Sequence, residues 1–358
     1  MSETRFRLAV ATVRDQFADM RTHASVQLIS TLTQFSRVPC RGKRFAILIA
    51  CVALIAGGAA GSDLAFKPAA EPGFFSFDTG ALRGRVRLNG QSQGIVELVH
   101  SETGVRVAAG DGLPGVLSYY RVFSTDARYG HAARDWPTVN RLLPDGALEV
   151  VWASAEEHPL EMTAVYRWSR ADTLDLETRV RPQRDLPRFE VFLSSYFTAG
   201  FQASVYVRPN RFASGQPALL PVEVNPMIEG TYLMFPRDRE AVLRIFDRRW
   251  EFPPDPVQWS VTRWLAGPLA VRRDAASQVT ALLMAPPEDC FAVATPYNKT
   301  PPDGVAGHYS LYLSLFGQDL AAGQTARARS RLMVGRGLSD AQAVERYQQY
   351  IAEAGRAH

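Results

Sequence analysis

Cysteine is nearly absent: the 358 residues hold three, Cys40, Cys51 and Cys290. The first two precede residue 62, in what reads as a leader, so the remainder carries Cys290 alone and can form neither an internal disulfide nor a cysteine metal site. The six histidines never stand three or four apart, and no Asp/Asn loop follows the calcium pattern, so a bound metal is not expected. A Gly-rich phosphate loop and a G-x-S-x-G elbow are both missing, which excludes a P-loop phosphotransferase and an α/β-hydrolase. Nothing calls for a cofactor. Lysine occurs only at positions 43, 67 and 299, leaving arginine to supply the positive charge.

Long apolar runs are equally scarce, with one exception. Residues 45–61, FAILIACVALIAGGAAG, are 17 uncharged residues with no polar face at helical spacing, directly behind Arg41, Lys43 and Arg44. That length lies between a signal-peptide hydrophobic region and a short membrane span. Either reading keeps the basic leader, residues 1–44, in the cytoplasm and sends the chain after residue 61 across the membrane, tethered or cleaved near the small residues 57–61. The leader also distorts the charge balance. It holds eight Lys/Arg and three acids; without them the chain's 40 basic and 36 acidic residues become 32 and 33. The pI near 9.0 therefore gives no reason to expect nucleic acid.

A linker, residues 62–73 with Pro68 and Pro72, precedes a long series of strand signals. Residues 94–109 read as a hairpin, IVELVH and VRVAA around the turn 101–104. The runs continue as VLSYYRVF, LEVVWAS, TAVYRW, TLDLETRVRP, FEVFLSSYF, ASVYVRP, GTYLMF, AVLRIFD, VQWSVTR, LAVRR, QVTALLMAP, DCFAVATPY, YSLYLSLFG and ARARSRLMVG. Many alternate apolar with polar residues, as strands buried on one face do. About fifteen strands with no amphipathic helix between them exclude a βαβ architecture and leave a large antiparallel β-supersandwich over residues 74–338. One helix closes the chain over 339–358, capped by Ser339 and packed on the sandwich through Ala343, Val344, Tyr347, Tyr350 and Ile351.

Within this frame residues 115–137, GVLSYYRVFSTDARYGHAARDWP, concentrate unusual chemistry. Aromatic faces, forked guanidinium donors, an imidazole and a carboxylate suit a polar ring such as a sugar. The candidate binding residues are Tyr120, Arg121, Arg128, Tyr129, His131, Asp135 and Trp136, joined by Tyr196, Tyr297 and His308 from later strands and loops. Trp136, beside Pro137 in a loop, is the expected stacking platform. The alternative is an Arg-rich connection whose rings merely cover the edge of the core. Loop acids at 135, 145, 156, 157, 288, 289 and 303 remain open as acid/base groups.

The succession LPDGALEVVW, AVYRWSRADTLDLETRV and FEVFLSSYF, closed by HYSLYLSLFGQDLAAGQTARARSRLMVG, resembles the galactose mutarotase-like (aldose 1-epimerase-like) superfamily. The resemblance implies a supersandwich acting on carbohydrate. Enzymes of that superfamily carry a His in an N-H-x-Y-F-N-L strand and a Glu near the C-terminal end, as acid and base for opening the sugar ring. Here Ser194-Ser195-Tyr196-Phe197-Thr198 stands at the His motif, and Ala294-Thr295 stands near the Glu. A serine hydroxyl does not titrate near neutral pH and cannot replace an imidazole. The expected function is therefore exported carbohydrate binding without epimerase chemistry. An active epimerase or lyase with a rearranged site and a cell-envelope scaffold for protein partners are the alternatives.

Overall fold

The computed structural model describes residues 64–90, 93–110, 112–125, 127–209, 215–223, 232–297 and 309–356. All of these fall within one compact unit, Gly58–His358. The leader, the apolar segment 45–61 and His308 lie outside the described residues. Among the described residues no helix is long and apolar enough to cross a membrane.

Strands dominate, in the order β1 (Lys67–Pro68), β2 (Phe74–Asp78), β3 (Leu82–Arg87), β4 (Gly94–His100), β5 (Ser118–Ser124), β6 (Ala127–Arg128) and β7 (Val139–Leu142). Next come β8 (Leu148–Trp152), β9 (Leu160–Arg170), β10 (Thr173–Pro182), β11 (Leu186–Tyr196), β12 (Phe201–Val207), β13 (Ala218–Pro221) and β14 (Tyr232–Pro236). Helix α1 (Arg239–Ile245) leads to β15 (Trp259–Ser260), β16 (Leu265–Asp274), β17 (Val279–Met284), β18 (Cys290–Pro296), β19 (Ser310–Leu320), β20 (Ala326–Arg336) and helix α2 (Asp340–Arg356). They form a nine-stranded sheet, β13-β12-β16-β17-β20-β10-β9-β8-β7, a seven-stranded sheet, β15-β14-β18-β19-β11-β5-β6, and a four-stranded sheet, β1-β2-β3-β4.

Alternation along the strands builds the core. Met162, Ala164 and Tyr166 on β9 and Leu174 and Leu176 on β10 share one apolar cluster with Val191 and Leu193 on β11 and Leu311 and Leu313 on β19. The nine- and seven-stranded sheets thus bury their facing sides against each other, as an all-β sandwich requires. Phe75, Phe77, Val86 and Ile95 bring the four-stranded sheet into the same cluster. Helix α2 covers part of the opposite face of the nine-stranded sheet, packing Ala343, Tyr347, Tyr350 and Ala354 on Leu269, Leu282 and Met333. Its start is a capping box: Gln342 N donates to Ser339 Oγ at 3.3 Å, and Ser339 N donates back to Gln342 Oε1 at 2.9 Å.

Three local expectations change. The segment AVLRIFD is not a strand: its first five residues, 241–245, lie in α1, because Asp238 caps the helix, accepting from Ala241 N at 2.8 Å, and Ala241 and Ile245 bury one face four residues apart. Residues 105–109 do not form a full hairpin arm. Arg106 bridges Val99 while Ala108 bridges Phe197, so this stretch divides its pairing between two strands. The linker 62–73 is also partly ordered, with β1 paired to β2 and Phe66 buried.

Candidate functional site

The side of the seven-stranded sheet turned away from the main core carries a separate aromatic cluster. On β11 the alternation that sends Val191 and Leu193 inward sends Phe192 to this outer face. Tyr312 of β19 stacks on Phe192 with ring centres 4.7 Å apart and planes 14° apart. Tyr196, further along β11 on the same side as Phe192, meets Tyr312 edge-on at 6.2 Å. Residues 246–259 cross this face and contribute Trp250, 4.7 Å from Phe192 and 5.0 Å from Trp259, while Tyr232 of β14 stands 5.7 Å from Trp259. Trp250 and Trp259 also line a cavity of about 470 Å³ with Ile245, Phe246 and Val257.

A bulge brings charge to the aromatic face. Leu193 pairs with Tyr119 but Phe192 pairs with Arg121, so Tyr120 is the extra residue in β5. Two consecutive side chains, Tyr120 and Arg121, consequently reach the same cluster instead of alternating. Arg121 Nη2 donates to the Tyr120 hydroxyl at 3.2 Å and to the Asp255 carbonyl at 2.6 Å, and its guanidinium lies 5.2 Å from the Trp250 ring. Arg134 comes from the short 3-10 turn Ala133–Asp135, and its guanidinium stands 4.7 Å from the Tyr120 ring centre, against 5.0 Å for Arg121. Such contacts satisfy the positive charge through ring faces and leave N–H edges available for hydrogen bonds.

Hydroxyls complete the site. Ser310 Oγ donates to the Tyr312 hydroxyl at 2.9 Å, which donates to that of Tyr196 at 3.4 Å. Burial pushes the Tyr196 phenol up, while the Tyr312 hydrogen bond and then the Arg134 guanidinium pull against it. Burial likewise raises Tyr312 and Tyr232, so all three remain protonated donors at neutral pH. Ser194 and Ala294 are fully buried within the same sheet. The adjacent Ser195 accepts from Leu117 N at 3.0 Å, and Thr295 donates to the Ser310 carbonyl at 2.9 Å, so both are engaged with backbone. Glu190, one alternation from Phe192, is neutralised by Arg249 at 2.7 Å.

The ten residues singled out from sequence separate into groups. Tyr120, Arg121 and Tyr196 meet on the outer face. Arg128, His131 and Asp135 instead surround the loop at 252–255: Arg128 donates to the Phe252 and Pro254 carbonyls, and His131 lies 3.4 Å from Asp255 and 3.3 Å from Asp135. Burial, then the neighbouring Arg121 charge, lowers the Arg128 pKa. Tyr129, Trp136 and Tyr297 belong to the main core. Tyr129 bonds Ser124 at 2.6 Å, and Trp136, only 8% exposed, stacks on His158 with ring centres 3.9 Å apart. Trp136 is therefore a packed core ring rather than the exposed platform expected from its place beside Pro137. Its burial follows from the turn at Gly130, which holds φ +65° and lies so close that a Cβ there would stand 2.9 Å from the indole nitrogen.

Arg134, Tyr232, Tyr312, Trp250 and Trp259 were not among those ten. Alternation in YSLYLSLF could have sent Tyr312 outward, whereas nothing local marks Trp250 as a neighbour of β5 or Trp259 as a neighbour of Phe192. Of the loop acids, Asp145 pairs with Arg167, and Glu288 and Asp289 with Arg329. Among the described residues no group of three His, Cys, Asp or Glu could hold a metal ion.

No family model and no curated protein matches the chain. Solved structures with a similar course include a galactose mutarotase related enzyme from Lactobacillus acidophilus, at 11% identity and TM-score 0.45, covering 75% of this chain and 99% of that one. A C. elegans aldose epimerase homologue matches at 10% identity and TM-score 0.39, over 72% of this chain and 96% of that one. An alpha-N-acetylgalactosaminidase from Bifidobacterium bifidum matches at 12% identity and TM-score 0.46, over 78% of this chain but 39% of its own length. The similarity is to galactose mutarotase-like proteins, and at these values it assigns no activity and no residue role to this chain.

Proposed function

We propose that the chain binds carbohydrate on the outer face of its seven-stranded sheet and does not interconvert anomers. The observation that carries this is the Tyr120 ring, approached by the Arg121 and Arg134 guanidiniums within 5.0 Å of its centre, on the sheet face that also carries Tyr196 and Tyr312. Rings that stack on pyranose faces and donors that meet hydroxyls are what sugar recognition needs. The absence of anomer chemistry rests on Ser194 and Ala294 standing where the resembling enzymes place an acid and a base, and on Glu190 being neutralised by Arg249. Losing proton transfer costs roughly a hundredfold to ten-thousandfold in rate for each step it served.

The sandwich belongs, in this reading, outside the cytoplasmic membrane, held or delivered by residues 45–61 behind their basic leader. The test of binding is a glycan array with the full chain beside its Tyr120→Ala variant. Binding that depends on Tyr120 is expected, and failure to bind any glycan would return the scaffold alternative. Polarimetry on freshly dissolved aldoses should give the spontaneous rate; acceleration would restore an enzyme.

A further inference from the structure

The arginines around Tyr120 have no carboxylate partner among the described residues, a trait shared with the buried Arg272, whose hydrogen bonds run to the Phe201 and Ser310 carbonyls and the Thr295 hydroxyl. Arg249 is paired with Glu190 and Asp247, and Arg331 with Asp175 and Glu353. Arg121 is 1% exposed, yet its hydrogen bonds run only from Nη2, and only to a hydroxyl and a carbonyl. Its Nε and Nη1 are shut off from solvent with no acceptor among the described residues. Arg134 repeats the pattern: Nε and Nη1 are again buried without an acceptor. Both guanidiniums offer their faces to the same tyrosine ring, which accounts for the faces and leaves the edges unexplained. The nearby carboxylates, Asp135 and Asp255, are turned to His131.

Buried N–H groups of a charged guanidinium without an acceptor are costly, and two such edges beside one ring compound the cost. A forked pair of N–H donors matches a group with two or more oxygens sharing negative charge, which a neutral sugar hydroxyl does not supply.

We propose that the ligand is an acidic glycan, whose oxyanion, a carboxylate or a sulfate ester, is held by the half-buried Arg134 guanidinium and balances the buried charge of Arg121, with its ring beside Tyr120. This rests on the carbohydrate-binding reading and specifies the ligand class for that same face.

Calorimetric titration of the full chain with a uronate oligosaccharide, its methyl ester and a sulfated oligosaccharide tests this. The ester keeps the ring and hydroxyls and removes only the charge. The expected result is at least about tenfold tighter binding of an acidic glycan than of the ester, weakening with salt. Preference for the uronate or for the sulfated chain identifies the source of the oxyanion. Arg134→Gln, at a half-buried position, should abolish the preference, bringing the affinity for the acidic glycan down to that for the ester. Arg121→Lys, which keeps the buried charge, should retain it, with melting curves confirming that each variant folds. Equal affinity for acid and ester, or a preference that survives Arg134→Gln, overturns the inference and leaves carbohydrate binding standing. Binding of none of the three overturns both.

Discussion

Replacing Arg249 with methionine would remove the ion pair that fixes residues 246–259 across the candidate site. The guanidinium is fully buried; it donates to Glu190 at 2.7 Å, to Asp247 at 2.8 and 2.9 Å and to the Arg188 carbonyl at 3.0 Å. Trp250, next in sequence, packs on Phe123 and Phe192 from that anchor. Methionine fills comparable volume without charge, so the main effect is to leave Glu190, itself 1% exposed, buried and unpaired. Breaking one side of such a pair costs about 3–5 kcal/mol. At about 2 °C per kcal/mol for a body of this size, the melting temperature should fall by about 6–10 °C. The double variant Glu190→Gln/Arg249→Met should recover the part of that loss due to Glu190, while Asp247, whose carboxylate also loses its Arg249 partner, retains the rest.

The pH dependence of that deficit has a definite sign. Burial already raises Glu190 above the usual carboxylate range, with Arg249 opposing it. A raised carboxyl contributes its stability below the unfolded pKa and loses it as pH rises, so the deficit of Arg249→Met should be smallest near pH 4 and grow toward pH 8. Thermal melts followed by tryptophan fluorescence across that range measure it. A deficit below about 1 kcal/mol at neutral pH, or one that grows on acidification, would refute the reasoning.

Three more outcomes are set by the packing. Trp136→Ala should cost about 3–5 kcal/mol in denaturant melts yet leave glycan affinity within about twofold, because the ring serves the core against His158. Gly267→Ala would drive a Cβ into the Tyr347 hydroxyl, so helix α2 should exchange its amides faster and stability should drop by about 1–3 kcal/mol. Hydrogen bonding from Arg331 holds the Glu353 carboxyl below its usual range, so the stability it lends is present above that range and lost as pH falls; Glu353→Gln should flatten that part of the acid transition in a pH series of melts.

Much of the fold was legible because strand alternation is a local signal. LEMTAVYRWSR already separates the Met162, Ala164 and Tyr166 that enter the core from the residues between them, and Ser339 with Gln342 announces the last helix. The site was legible only in part. The density of rings and arginines in 115–137 is real, but a one-residue bulge decides that Tyr120 and Arg121 share a face, and no sequence pattern marks the bulge. Trp136 illustrates the opposite failure: a tryptophan beside a proline looks exposed, yet a left-handed glycine folds the loop back and buries it. The contributions of Trp250 and Trp259 depend on contacts more than 50 residues away in sequence, beyond any local periodicity.

The seat of the glycan tests the account most directly, through a crystal structure of the full chain with the tightest-binding oligosaccharide. The account predicts a sugar ring against Tyr120, within hydrogen-bonding reach of Arg134 and Tyr196 on the outer face of the seven-stranded sheet. A sugar held instead in the groove of about 370 Å³ beside helix α2, lined by Arg167, Asp175, Arg331 and Tyr350, would contradict it.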